Sequence, residues 1–178
     1  MCGIAGFNWN HPEQIRQMTN AIRHRGPDDA GFYCDELVSL GHRRLSIIDT
    51  SSRGHQPMQF EHLQIVYNGE VYNYLELRKE LESAGYRFHS GTDTEVILLA
   101  YRHWGADCVN RFNGMWAFCI YDAQKKILLL SRDRFGVKPL YYYFDGSRFI
   151  FASELKAIRP LVGNLQIDVT AVNYFFYQ

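Results

Sequence analysis

The sequence predicts an α+β domain in which antiparallel sheets pack face to face and helices lie outside. Three observations point there. Strand-like segments come first, two helix-like segments follow one another directly, and strands then resume, unlike the alternation that builds a parallel βαβ sheet. Asp145–Gly146, set between two aromatic runs, signals an antiparallel hairpin. The tyrosines and phenylalanines that crowd the C-terminal part add to a β-rich reading.

In chain order, Ile4–Asn8 reads as a short buried strand that begins almost at the first residue, although chain termini normally fray. Pro12 to Ile22 has helical periodicity, with Ile15, Met18 and Ile22 on one face. The loop HRGPDD ends it, punctuated by Gly26 and Pro27. Strands are expected at Ala30–Cys34, Leu37–Arg43 and Leu63–Tyr67. Asn73 opens a helix with Glu76 as its capping-box partner, an apolar face of Tyr74, Leu77, Leu81 and Ala84, and Gly85 as its stop. Thr92 and Glu95 repeat that capping logic for a second helix running to about Trp104. Strands follow at Met115–Tyr121, Ile127–Ser131, Leu140–Phe144 and Phe149–Ala152.

At 178 residues the chain is long enough to bury one full core without disulfide staples. Lys plus Arg equals Asp plus Glu at 19 each, and no basic stripe appears, so a nucleic-acid-binding module is not expected. The four cysteines, Cys2, Cys34, Cys108 and Cys119, form no CxxC pair and match no zinc framework, so no metal site is expected. No secretory leader is visible, and apolar runs fall far short of the ~20 residues a membrane span needs. A reducing cytoplasm with free thiols is the natural compartment.

Cys2 is the first candidate for chemistry. Removal of Met1, which a small second residue permits, would put a thiol and a free α-amine on one residue. An α-amine has a reference pKa of about 7.7–8.0 and a thiol one of about 8.5, so the amine can take the thiol proton near neutrality. Taken by itself, Cys2 reads first as a small buried apolar residue at the head of a strand. Asn68–Gly69 reads first as a hairpin turn. The alternative is an amide side chain and a backbone N–H aimed at one oxyanion, and the capped helix that soon follows favours it. By strand alternation His42 and Arg44 share one face and Arg43 takes the other. A guanidinium there can clamp a carboxylate or simply form a solvated edge. Asp93, in a helix's first turn, can serve the macrodipole or hold an ammonium group.

In combination these residues resemble one family. MCGIAG at the start, HRGPD at 24–28, GHRRLSIID at 41–49, YNGEVYN at 67–73, TDTE at 92–95, RDRFGVKPLYY at 132–142 and FASELKAI at 151–158 stand in that family's order. The sequence is similar to the N-terminal glutaminase domain of glutamine-dependent asparagine synthetases, class II amidotransferases among the N-terminal-nucleophile hydrolases. The resemblance spans Cys2 to at least Ile158.

The resemblance implies a four-layer αββα sandwich. It implies that Cys2 attacks the side-chain amide of glutamine, that Asn68 and the Gly69 N–H stabilise the oxyanion, and that ammonia and glutamate leave. It further implies that Arg44 binds the glutamine α-carboxylate and Asp93 its α-amino group. His24, Arg25 and Asp28 are expected to border the site in a structural role, and Arg132–Lys138 to serve packing or domain contact. The glutaminase domain is expected to cover residues 1–160, with 161–178 beginning a connection to a C-terminal synthetase domain. That partner domain would use ATP and Mg to amidate aspartate, whereas no cofactor is expected in this chain; a homodimer stays open. No SGGxDS or GxxxxGK[ST] phosphate loop occurs, and the aromatic run NYFFYQ reads as interrupted structure, so a fragment of a longer enzyme is expected. Two rivals stand: the glutaminase domain of a sugar, purine or exopolysaccharide-precursor amidotransferase, and a non-catalytic glutaminase-like relic.

Overall fold

The first strand enters the interior of a sheet two residues after the chain begins. The computed structural model describes residues 1–47, 49–163 and 168–177. β1 (Gly3–Phe7) lies between β3 (Ser39–Arg44) and β9 (Phe149–Ala152), with β2 (Asp29–Cys34) outside β3 and β8 (Tyr141–Phe144) outside β9. The second sheet runs β4 (Met58–Phe60), β5 (Leu63–Val71), β6 (Gly114–Asp122), β7 (Ile127–Arg132). Every neighbouring pair is antiparallel.

Three apolar cores make four layers. Ile4, Leu40, Val66, Ala117, Cys119 and Phe151 fill the space between the sheets. On the outer face of the first sheet, α1 (Pro12–Ala21) and α4 (Leu155–Val162) bury Phe7, Ile15, Met18, Ile22, Ile150 and Ile158. On the outer face of the second, α2 (Tyr74–Ser83) and α3 (Asp93–Trp104) bury Leu77, Leu81, Ile97 and Leu98 against Leu63, Ile65, Tyr67 and Phe118. Strand alternation sends Val66 inward and its neighbours Ile65 and Tyr67 outward, so one strand feeds two cores. Each fully buried aliphatic or aromatic side chain contributes roughly 1.5–3 kcal/mol.

The predicted elements are present with shifted ends, and the differences have physical causes. β5 runs four residues past the predicted end at Tyr67, because β6 pairs with it as far as Val71↔Gly114. Asn73 holds the N-cap position of α2 but does not cap it: its amide donates to Arg111 O (2.9 Å) and accepts from Asn113 N (2.9 Å), tying α2 to the segment before β6. Ala84 is exposed rather than part of the α2 apolar face. Thr92 does cap α3, accepting from Glu95 N at 3.3 Å, while the Glu95 carboxylate reaches back to His89 and Ser90. β4, α4 and α5 (Val169–Tyr177) had no predicted counterpart. Of the predicted connection over 161–178, residues 164–167 and 178 lie outside the described residues.

Candidate active site

Cys2 stands at the entry to β1, two residues before the inter-sheet residue Ile4. Its Sγ lies 3.4 Å from the Leu45 N–H and 3.6 Å from the Leu45 carbonyl oxygen. Burial pushes the thiol up from its ordinary value, against the pull of the Leu45 N–H, the N-terminal ammonium, Arg44 and Arg25. A thiol held this way keeps its proton at neutral pH until a base removes it. The Met1 Sδ lies 3.4 Å from Lys138 Nζ.

Arg25 was assigned no chemistry from sequence, and its position is informative. Its Nε donates to the Cys2 carbonyl at 2.9 Å, and its Nη1 donates to Glu154 at 3.1 Å. Glu154 also meets His24 and Lys156. The residue carrying the thiol is therefore anchored through its own backbone. Nothing in the spacing of HRGPD foretells a bond to a residue 23 positions earlier.

Arg44 ends β3 with its side chain buried. Nη1 donates to Ser51 O at 2.8 Å and Nη2 to Asp49 O. Two of its five guanidinium N–H groups are thus taken among the described residues. Gly54 makes this seat possible, since any Cβ there would overlap the guanidinium. Arg43 points the other way, to Thr19 O (3.3 Å) and Asn20, as alternation requires.

Asn68–Gly69 is not a turn. β5 carries straight through it, with Asn68 opposite Ala117 and Gly69 opposite Trp116. The hairpin reading fails because pairing with β6 decides the backbone path over these residues. Among the described residues the Asn68 Nδ2 is buried without a partner. A glycine is required next to it: a Cβ on Gly69 would overlap the Met115 carbonyl oxygen and come within 2.7 Å of Trp116 Cα. β4 accompanies β5 only as far as Met58↔Ile65, so beyond Ile65 that edge of β5 carries no strand. The Tyr67 N–H and C=O turn to this edge, toward Gln56 and His42. Strand geometry then sends the Gly69 N–H, two residues on, in the same direction.

Asp93 opens α3. Its Oδ2 accepts both the Tyr67 hydroxyl (2.7 Å) and the Val71 N–H (3.0 Å). Burial pushes its carboxyl above the ordinary range, against the pull of those two hydrogen bonds. Cys2, Arg44, Asn68, Gly69 and Asp93 line one pocket, joined by Gln56, Tyr67, Glu70 and Lys138. Glu70 has no role in the sequence reading, although it stands within YNGEVYN, and Lys138, at the end of the stretch expected to serve packing or domain contact, lines the pocket instead.

Residues 1–178 match the model of the glutamine amidotransferase domain family. This chain belongs to that family. It is 45% identical to a putative glutamine-hydrolysing asparagine synthetase of Methanocaldococcus jannaschii, over 99% of the chain and 39% of the relative. It is 43% identical to asparagine synthetase 1 of Bacillus subtilis (98% and 29%) and 38% identical to asparagine synthetase B of Escherichia coli (91% and 29%). The chain thus spans less than two fifths of the length of each of these relatives. Among solved structures, the glutamine phosphoribosylpyrophosphate amidotransferase of B. subtilis superposes with a TM-score of 0.76 at 22% identity, covering 89% of this chain and 43% of that one. That likeness is one of fold alone, two antiparallel sheets with helices outside. No helix among the described residues is long and apolar enough to cross a membrane.

Proposed function

We propose that this chain hydrolyses glutamine to glutamate and ammonia and, as part of a longer protein, supplies the ammonia for asparagine synthesis. The observation that carries the reading is the convergence of a thiol, a buried arginine, an unpartnered amide, an edge N–H and a buried carboxylate on one pocket. Arg44 and Asp93 offer opposite charges to the two charged groups of an α-amino acid, which fixes its register. The Cys2 thiol, its proton passed to the freed α-amine, adds to the side-chain carbonyl carbon. The oxyanion forms against Asn68 Nδ2 and the Gly69 N–H. The ammonium returns the proton as ammonia departs, leaving a γ-glutamyl thioester, and water then cleaves it to glutamate and regenerates the thiol.

The relatives' names support aspartate as the final acceptor, with residues 161–178 leading toward a synthetase domain. The chain itself has no glycine-rich phosphate loop, and among its described residues no cluster of three His, Cys, Asp or Glu that could hold a metal. The same relatives' names support placing the ATP- and Mg-dependent activation in that domain. The free cysteines fit a cytoplasmic setting. The test supplies the chain, verified by mass spectrometry to lack Met1, with glutamine, ATP, magnesium and aspartate. Glutamate release without asparagine is expected, and a Met1-retaining preparation should be inactive because its Cys2 nitrogen is an amide. No glutamate from folded, Met1-free chain would favour the relic.

A further inference from the structure

β5 changes character halfway along. From Leu63 to Ile65 its outer edge is paired with β4, and from Val66 to Val71 that edge has no strand. An open edge in a sheet normally attracts another strand or water. Here two side chains from separate parts of the chain occupy it at one residue. Gln56 Oε1 accepts the Tyr67 N–H at 2.7 Å, and His42 Nε2 donates to the Tyr67 carbonyl at 3.1 Å. Between them they satisfy both backbone groups that a fifth strand would have bonded. Both are buried, at 5% and 1% exposure, so neither bond competes with solvent.

The next residue facing this edge is Gly69. Its N–H is the donor that the glutaminase reading aims at the oxyanion, and the Tyr67 carbonyl belongs to the peptide that also carries the Asn68 N–H. Fixing Tyr67 therefore fixes the two residues that follow. We propose that His42 and Gln56 are positioning residues that stand in for a missing strand, closing the edge of β5 at Tyr67 so that the Gly69 N–H and the Asn68 amide stay aimed at the substrate oxygen. This rests on the glutaminase reading of the pocket.

The chemistry of each group supports the assignment. A carbonyl accepts only, so the His42 proton resides on Nε2. His42 Nδ1 is buried and has no partner among the described residues, a cost tolerated where the other nitrogen has a fixed task. Burial holds the imidazole neutral, pushing it down to about 3, so Nε2 keeps its proton throughout the working range. Gln56 is oriented in turn by Thr94, its Nε2 donating to the Oγ1 at 3.3 Å. Tyr67 reaches α3 as well, since its hydroxyl donates to Asp93. One residue is thus held at its backbone by the oxyanion side of the pocket and at its side chain by the ammonium side.

These two attachments separate in steady-state kinetics. His42→Leu should lower kcat about 10–100-fold, somewhat less than deletion of an oxyanion donor, with KM changed less than threefold. His42→Gln, whose amide can donate in place of Nε2–H, should recover to within about fivefold of wild type. Tyr67→Phe should show the reverse pattern, raising KM about 3–10-fold with kcat little changed, because it frees the Asp93 side only. Gln56→Leu, in a different loop, should repeat the kcat-selective loss and serves where His42→Leu does not fold. Retention of wild-type kcat by folded His42→Leu or Gln56→Leu, or equal changes in kcat and KM, would overturn the positioning role while leaving the glutaminase reading intact. Absence of glutamate from the Met1-free parent chain would overturn both.

Discussion

Two ends of one layer differ sharply although the same strands build them. In the middle of the inter-sheet space, Ile4, Leu40, Val66 and Cys119 are fully buried and apolar. Two residues further along the same strand faces stand Cys2, His42 and Asn68, with Arg44 two beyond His42. Period-two geometry keeps all of them on the inward side. The site is therefore the polar end of the core rather than a separate construction, and its buried polar groups are costly unless partners or ligands meet them. Hydrogen bonds from Tyr67, Val71 and Leu45, and from Arg44 to the 49–51 carbonyls, offset part of that cost.

The contrast is broken most severely by exchanging its two cysteines. Cys2→Ala should abolish glutamate release, a loss of at least about 10³-fold, because no other nucleophile can form the thioester. Cys119→Ala, deep in the apolar half, should keep the activity and cost about 1–2 kcal/mol in denaturant unfolding. Loss of activity from the second substitution and not the first would reverse the assignment.

The two neighbouring arginines sharpen it. Arg44→Ala should reduce kcat/KM for glutamine by roughly 2–4 kcal/mol, as for truncating one half of a desolvated charge pair. Arg43→Ala should change it less than about threefold, since Arg43 bonds α1 on the other face. Equal losses would mean that the strand faces do not divide the labour.

Asp93 links the polar end to pH. Its carboxyl is raised by burial, and a bound ammonium favours the charged form, so glutamine affinity should fall as pH drops through the raised value. A KM profile between pH 4 and 8 checks this; a flat profile would remove Asp93 as the ammonium clamp. A folded-state value above the unfolded one also means that the free carboxylate destabilises the fold at neutral pH. Asp93→Asn should accordingly bind glutamine about 10-fold or more weakly without losing thermal stability.

His42 links the fold, rather than glutamine binding, to pH. Its folded-state value, about 3, lies below the ordinary 6.5 of an imidazole, so the unfolded chain binds the extra proton. Its contribution is fully present above the unfolded value and is lost as pH falls toward the folded one. Stability should thus decline below about pH 6.5 by up to ~1.4 kcal/mol per pH unit, and His42→Gln should flatten that slope in urea titrations.

The sequence revealed this architecture wherever a segment's partner matters little. The period of α1 marks Ile15, Met18 and Ile22, and all three are buried. It was least legible where a remote strand decides. Asn68–Gly69 carries local turn chemistry that β6 overrides, and the same override turns the Asn68 side chain inward and the Gly69 N–H to the open edge. Alternation puts Arg44 and Arg43 on opposite faces, and the family resemblance chooses Arg44. Arg25 and Gln56 could not be placed this way, because each acts on a residue brought near only by sheet assembly. The three-residue β4 and α4, with Pro160 inside it, are short or irregular enough to leave no periodic signal.

The bond from Arg25 to the Cys2 carbonyl has a mechanical consequence. It pins the C-terminal side of the residue, and with Met1 removed as proposed the amine and the thiol are separated by rotation about the Cα–Cβ bond alone. Three staggered settings of that bond cover the whole search for alignment. A base and nucleophile joined by one torsion are never more than a rotamer change apart, so they reach a high effective molarity without help from a second chain segment. On the proposed reading Arg44, Asn68 and Asp93 are then left to meet the ligand.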